Sequence, residues 1–142
     1  MILFDKRHRY IHCDVLVIGA GISGIISAKT AAKNGFKTLL VDEKPYLGGS
    51  TIYQNSEYFR INNQNSGSWL EKEINEIKKI KNLEIKIRTS VAAFHGYNFL
   101  LARENLTDHL PLDQRKNKTR QRLLKIRAKK VIMATGSLER PL

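Results

Sequence analysis

The stretch Asp14–Gly24 reads "DVLVIGAGISG". Val15 to Ile18 is a short apolar, mostly β-branched run that ends on glycine, as a strand buried in a parallel sheet does. Ile22 to Asn34 follows, rich in small residues (Ser27, Ala28, Ala31, Ala32), and reads as a helix with Gly35 as its C-cap. "KTLLVD" (Lys37–Asp42) is a second buried strand. The strand, turn, helix and strand fill about 30 residues, the size of a βαβ crossover.

Within that unit "GAGISG" (Gly19, Ala20, Gly21, Ser23 and Gly24) matches G-x-G-x-x-G in the context the pattern requires, between a strand and a helix. Gly19 permits the tight turn, Gly21 lets backbone approach a pyrophosphate, and Gly24 allows close helix–strand packing. The anion then rests on unpaired N–H groups at the helix N-terminus. Asp42 falls where an acidic residue accepts hydrogen bonds from ribose hydroxyls, with Glu43 adjacent. No arginine follows to receive a 2′-phosphate; Lys44 alone stands there, which disfavours NADP and leaves NAD and FAD open. "YLGGS" (Tyr46–Ser50) adds the backbone of Gly49 and the hydroxyl of Ser50.

Outward from this unit, Tyr46–Gly67 reads as a long polar loop, and Ser68 as the cap of a helix running to about Lys81 with Leu70, Ile74 and Ile77 on one face. "LEIKIR" (Leu83–Arg88) alternates like a strand. "TSVAAFH", "FLLARE" and "RLLKIRA", separated by a turn near Gly96-Tyr97-Asn98 and a polar stretch from Asp108 to Thr119, predict a three-stranded antiparallel meander. Lys130–Ala134 returns as an apolar strand and delivers Ala134-Thr135-Gly136 to the edge of the sheet. The expected fold is α/β: a Rossmann-like parallel sheet with a βαβ unit plus the meander. The expected division is an N-terminal extension over 1–13 and a dinucleotide-binding domain over 14–142. That domain stops at Leu142 as if truncated, so the isolated chain is expected to be marginal.

Composition narrows the classes. The 142 residues allow one domain, and the lone Cys13 excludes a disulfide framework, a CxxC redox pair and a cysteine-rich zinc site, which suits a reducing, cytoplasmic setting. Lys6, Arg7 and Arg9 before an apolar run imitate a signal peptide, but Asp14 and three glycines interrupt it, and no transmembrane segment follows. Net charge is +12, with much of the excess between Arg115 and Lys130. Leu123, Leu124, Ile126 and Ala128 interleave with those cations and no RNA-binding signature accompanies them. The tract therefore reads as a solvated strand face or a surface for an acidic partner subunit, ahead of a nucleic-acid site. His8, His12, His95 and His109 have no ligand spacing, and no catalytic or metal set can be assembled.

With the glycine fingerprint, the acidic strand end, the Gly-Gly turn, the meander and the terminal "ATG" in this order, the chain resembles the N-terminal part of a two-dinucleotide-binding flavoprotein. "HCDVLVIGAGISG", "LLVDEKPYLGGS", "RTSVAAFHGYN", "ENLTDHLP" and "RLLKIRAKKVIMATGSLERPL" are similar to the α subunit of heterotetrameric sarcosine oxidase, over nearly the whole chain. The resemblance implies a non-covalent NAD, with sarcosine oxidised by flavin on another subunit. It places contacts at Ser23 beside the pyrophosphate, Asp42, Glu43 and Lys44 around the ribose, Ser50 after the Gly-Gly turn, and Val91 near the adenine. Ala134, Thr135 and Gly136 would close over the nucleotide. Where that family commonly has Pro-Ala, this chain has Ile22-Ser23, and serine is still small. The folate-binding region of that subunit is absent. The expectation is an NAD-binding segment of such a subunit, inactive alone. The alternatives are an FAD-binding fragment of another amine or amino-acid oxidoreductase, and a basic nucleic-acid-binding protein.

Overall fold

The structure, a computed structural model, describes residues 7–54 and 57–137. The chain's last five residues, including those that end the "ATGSLERPL" motif, lie outside the described residues, as does Lys6. Strands β1 (His8–Ile18), β2 (Thr38–Val41), β5 (Leu83–Lys86), β6 (Thr89–His95), β7 (Phe99–Asn105) and β8 (Gln121–Met133) form one sheet in the order β5-β2-β1-β8-β7-β6. β5, β2, β1 and β8 are parallel; β8, β7 and β6 run antiparallel as the expected meander. A second, two-stranded sheet pairs β3 (Arg60–Ile61) with β4 (Gln64–Asn65) inside the segment read as loop, which also holds a 3-10 helix over Gly49–Tyr53.

Two strands are longer than their sequence suggests, for one reason. β1 begins at His8, so residues 8–13, expected to precede the domain, pair with β8 from Leu123 to Ala128. "RLLKIRA" and the strand expected over Lys130–Ala134 join in one continuous β8, which ends at Met133. In both strands the buried side switches parity at the same level: Ile11 and Cys13, then Leu16 and Ile18, join one core, while Leu124, Ile126 and Ala128 are followed by Val131. A strand with strict alternation keeps one parity on one face. Here the ladder bends at Asp14, where the N–H groups of both Asp14 and Val15 donate to the Lys37 carbonyl at 2.8 and 3.2 Å. The Asp14 carboxylate fastens the bend, accepting from Lys37 N at 2.9 Å and meeting Lys129 Nζ at 2.8 Å.

The bend lets the sheet curl over itself and close two cores. On one face Val15, Val17 and Leu40 pack against helices α1 (Ile22–Lys33) and α2 (Ser66–Ile77), through Ile25, Ala28, Trp69, Leu70 and Ile77. On the other, Leu16, Ile18, Leu39 and Val41 meet Leu100, Ala102, Leu124 and Ile126 of the meander. The curl also brings β6, last in the sheet order, to β2: Thr89 N donates to the Asp42 carbonyl at 2.8 Å.

α2 starts two residues before the expected cap. Asn65 caps it, its side chain accepting from Gly67 N and Ser68 N at 3.0 and 3.2 Å, so Ser68 lies inside the first turn. The helix ends at Ile77, short of Lys81. Leu70 and Ile77 are buried as expected, and Glu73 is buried between them because Lys29 of α1 meets it at 2.5 Å and Glu76 at 2.7 Å. The basic tract begins at Arg115, the last residue of a short helix, α3 (Leu112–Arg115), and supplies most of β8. Many of its cations are paired: Arg115 and Arg120 with Asp108, Arg122 with Glu104, Lys129 with Asp14. No helix among the described residues is long and apolar enough to cross a membrane.

Candidate dinucleotide-binding site

Parallel strands β1, β2 and β8 deliver their C-terminal ends to one edge, where ligands of open α/β sheets bind. Gly19 leaves β1 with φ +101° and its N–H donates to the Val41 carbonyl at 2.8 Å. A Cβ on Gly19 would stand 2.2 Å from the Ala134 carbonyl oxygen, because Ala134 N donates to the Ile18 carbonyl at 2.8 Å and brings the end of β8 alongside. A Cβ on Gly24 would stand 1.8 Å from the Gly19 oxygen, so that glycine lets α1 sit against the strand end.

Gly21 differs from both. Its backbone is ordinary, φ −71° and ψ −174°, and a Cβ there would meet nothing within 4 Å. Neither backbone conformation nor a protein neighbour requires glycine at this position. What lies over it is open space at the N-terminus of α1, which no side chain caps. The first N–H groups of a helix lack intrahelical acceptors and carry a partial positive charge, so they favour an anion in that space.

The second strand end is tied into the same loop. Asp42 is half-buried; one carboxylate oxygen accepts from Ala20 N at 2.5 Å and the other from Lys44 N at 2.7 Å. Its own N–H donates to the Lys86 carbonyl at 2.9 Å. Asp42 thus holds the glycine loop to β2 while keeping unused lone pairs, since a carboxylate offers about four acceptor directions. Glu43 is exposed, with Lys44 Nζ 3.9 Å from its carboxylate. The Gly-Gly turn closes the other side: Gly48 N donates to the Ala20 carbonyl at 2.7 Å, and a Cβ on Gly49 would stand 2.9 Å from Gly21 Cα.

The residues singled out from sequence therefore fall into two groups. Gly19, Ala20, Gly21, Gly24, Asp42, Gly49 and Ala134 are brought into mutual contact. Ser23, Glu43, Lys44, Ser50, Thr135 and Gly136 are exposed on the segments around them. Val91 lies on β6, two residues beyond the Thr89–Asp42 bond, but its side chain packs on the meander core, so a ligand there meets main chain, next to a bulge between Val91 and Ala93.

Sequence reasoning missed two features. Arg88, with φ +51°, donates its N–H to the Lys44 carbonyl at 3.0 Å and so joins the β2 end from 44 residues away. Tyr46 and Tyr53 share a hydroxyl–hydroxyl hydrogen bond across edge-on rings, which raises the Tyr46 pKa above its usual value. No local pattern announces either contact, because each depends on how the loop folds.

Among the described residues no group of His, Cys, Asp and Glu could hold a metal ion. Cys13 is buried and its thiol is pushed up to about 11 by that burial, which keeps it protonated and inert near neutral pH.

A strand–glycine turn–helix with open space at the helix N-terminus and carboxylates at the next strand end defines a dinucleotide-binding α/β fold. Residues 14–136 match the family model described as FAD dependent oxidoreductase, and the chain belongs to that family. It is 33% identical over 135 residues to "Sarcosine oxidase subunit alpha" of Corynebacterium sp. (strain U-96), covering 95% of this chain and 14% of that protein. The protein of the same name from Rhizobium meliloti (strain 1021) is 33% identical over 131 residues, covering 92% of this chain and 13% of its length. The chain thus spans about a seventh of the length of these relatives. Among solved structures, L-proline dehydrogenase from P. horikoshii superposes with a TM-score of 0.68 at 24% identity, over 97% of this chain and 25% of that one. Thioredoxin reductase from Streptococcus pyogenes MGAS5005 superposes with a TM-score of 0.62 at 22% identity, over 92% and 37%. The family implies FAD, and the residues present fit the adenosine-diphosphate part of such a group: open space over Gly21, free N–H groups on α1 and two carboxylates at the β2 end.

Proposed function

We propose that this chain is the NAD-binding segment of a sarcosine oxidase-type α subunit, part of a cytoplasmic hetero-oligomeric complex that oxidatively demethylates sarcosine to glycine. The observation that carries the binding role is Gly21, a glycine with no conformational or packing reason to be one, facing open space at an uncapped helix N-terminus. Similarity along 95% of the chain to sarcosine oxidase α subunits supports the choice of complex.

In this reading the α1 N–H groups and Ser23 hold the pyrophosphate. Asp42 and Glu43 accept from the ribose hydroxyls, with Lys44 beside them. Gly49 and Ser50 flank the phosphates, Val91 presents main chain to the adenine, and Ala134, Thr135 and Gly136 close over the nucleotide. NAD supplies binding and hydride chemistry when present; the chain's own residues position it, and other subunits carry out the amine oxidation. The isolated chain has no oxidase activity of its own.

Calorimetric titration with NAD, FAD and NADP tests this. NAD binds, and NADP binds more weakly, because a 2′-phosphate meets the Asp42 and Glu43 carboxylates and removes a hydroxyl donor, a loss of roughly 1–3 kcal/mol. Tighter binding of NADP contradicts the reading. A second reading, FAD in the same groove, is favoured by the family model itself. Purified protein that is yellow and releases flavin on denaturation would decide for FAD.

A further inference from the structure

The half of the β1–β8 ladder before the bend takes no part in the nucleotide site, and it builds a second surface. The register sets Tyr10 beside Lys125, Arg127 beside Phe99, and Phe99 beside His95 across four neighbouring strands, with Arg103 on the same side of β7. The alternate positions, Ile11, Leu100, Ala102, Leu124 and Ile126, are buried, so this set faces outward. By pairing with β8 from residue 8 onward, β1 widens the three-stranded meander to four strands at this level.

The chemistry of the face is uniform. Lys125 Nζ lies 4.9 Å from the centre of the Tyr10 ring and donates to its hydroxyl at 3.0 Å. The Arg127 guanidinium lies 5.0 Å over the Phe99 ring. Arg103 is exposed, and its side chain has no hydrogen bond or ion pair among the described residues. No Asp or Glu occupies an outward position of these four strand segments. The two carboxylates at the borders, Asp14 and Asp108, are already held by Lys129 and Arg120. The chain as a whole has 25 Lys and Arg against 13 Asp and Glu, and three of those cations, Arg103, Lys125 and Arg127, share this sheet face with no carboxylate among them.

We propose that this outer face docks an acidic protein surface, with partner carboxylates meeting Arg103, Lys125 and Arg127. Arginine and tyrosine over an apolar base is the composition of protein–protein hot spots. A guanidinium offers a carboxylate two parallel N–H donors. A single-stranded nucleic acid fits less well, because bases stack on open aromatic faces in succession, and of the two rings Phe99 is half-buried beneath the Arg127 guanidinium, which leaves Tyr10 alone open.

The test uses labelled poly-L-glutamate as the acidic probe, read by fluorescence anisotropy near physiological salt. It compares the natural chain with Arg103→Gln/Arg127→Gln and with a control of equal charge change at α2, Lys72→Gln/Lys78→Gln. The face variant is expected to lose about tenfold or more in affinity and the control less than about twofold. Arg103→Gln alone, which breaks no contact in the folded chain, gives the same ordering should the double variant melt early. Equal losses in face and control variants, or no loss in the face variants, overturn the proposal. So does tighter binding of an equally long single-stranded oligonucleotide with a larger loss in the face variants, which would assign the surface to nucleic acid.

Discussion

The same two strands, β1 and β8, make two unlike regions on either side of Asp14. Beyond the bend β1 is buried between two cores with β8 half-covered beside it, and both end in loops whose working parts are main chain: N–H groups, carbonyls and glycines. Before the bend they carry side chains outward, and the working parts are cations on aromatic rings. The contrast shows that close approach of backbone needs exact absence of side chains, while a docking face needs only their pattern. The first therefore tolerates single changes poorly and the second tolerates them well.

The largest expected effect follows from that contrast. Gly24→Val drives a branched side chain into the Gly19 carbonyl, where even a Cβ would stand 1.8 Å away. The expected cost is about 3 kcal/mol or more, seen as a large fall in melting temperature or loss of soluble protein. A Gly24→Val chain that melts like the natural one would show that α1 does not sit against the strand end. Glu104→Ala comes next. It leaves Lys86, 8% exposed, without its partner at 2.5 Å, at a cost of about 3 kcal/mol in denaturant titration. A cost under about 1 kcal/mol would mean that Glu84, 3.6 Å from the same ammonium, suffices.

Asp42 and Glu43 sharpen the comparison within the site. Asp42→Ala removes acceptors from Ala20 N and Lys44 N and is expected to lower both stability, by about 1–2 kcal/mol, and nucleotide affinity. Glu43→Ala is expected to lower affinity less and leave stability unchanged, and Ser50→Ala to weaken binding modestly. Calorimetry and melting on the three variants check the order. A larger affinity loss in Glu43→Ala would make Asp42 a brace for the loop and Glu43 the ribose contact.

How much of this was legible in the sequence depends on range. Gly19, Gly21 and Gly24 announce themselves because their spacing is local, and so do the α1 and β2 elements. The meander was readable as strands from its alternation. The bend was not, since the parity switch at Asp14 and Lys129 makes one long strand look like an extension or like two short ones. Asn65 and Ser68 both fit the rule for a helix cap, and only the hydrogen bonds to the Asn65 side chain decide between them. Arg88 and the Tyr46–Tyr53 pair join the site through tertiary contacts that no window of sequence contains.

The smallest effect is on pH dependence. The Lys129 hydrogen bond, then the Lys37 N–H, hold the Asp14 carboxyl below its ordinary value, and Arg120 does the same for Asp108. A folded pKa below the unfolded one gives stability that is present above the ordinary carboxylate range and is lost as pH falls through the folded value. Melting temperature is expected to drop below about pH 4, less steeply in Asp14→Asn. On the alkaline side, Lys129 is raised by the same contact, so its contribution is lost only as pH rises beyond about 10.5. An unchanged acid limb in Asp14→Asn would show that the carboxylate does not fasten the bend.

The most direct test of the central claim is Gly21→Val, measured by thermal melting with and without NAD. A Cβ at Gly21 meets nothing within 4 Å, so the variant is expected to melt within a few degrees of the natural chain when no nucleotide is present. The natural chain is expected to gain stability from NAD by mass action, about 2.7 kcal/mol at a hundredfold excess over the dissociation constant, and the variant to gain none. A variant that NAD stabilises as fully as the natural chain would contradict the claim that the space over Gly21 belongs to the nucleotide.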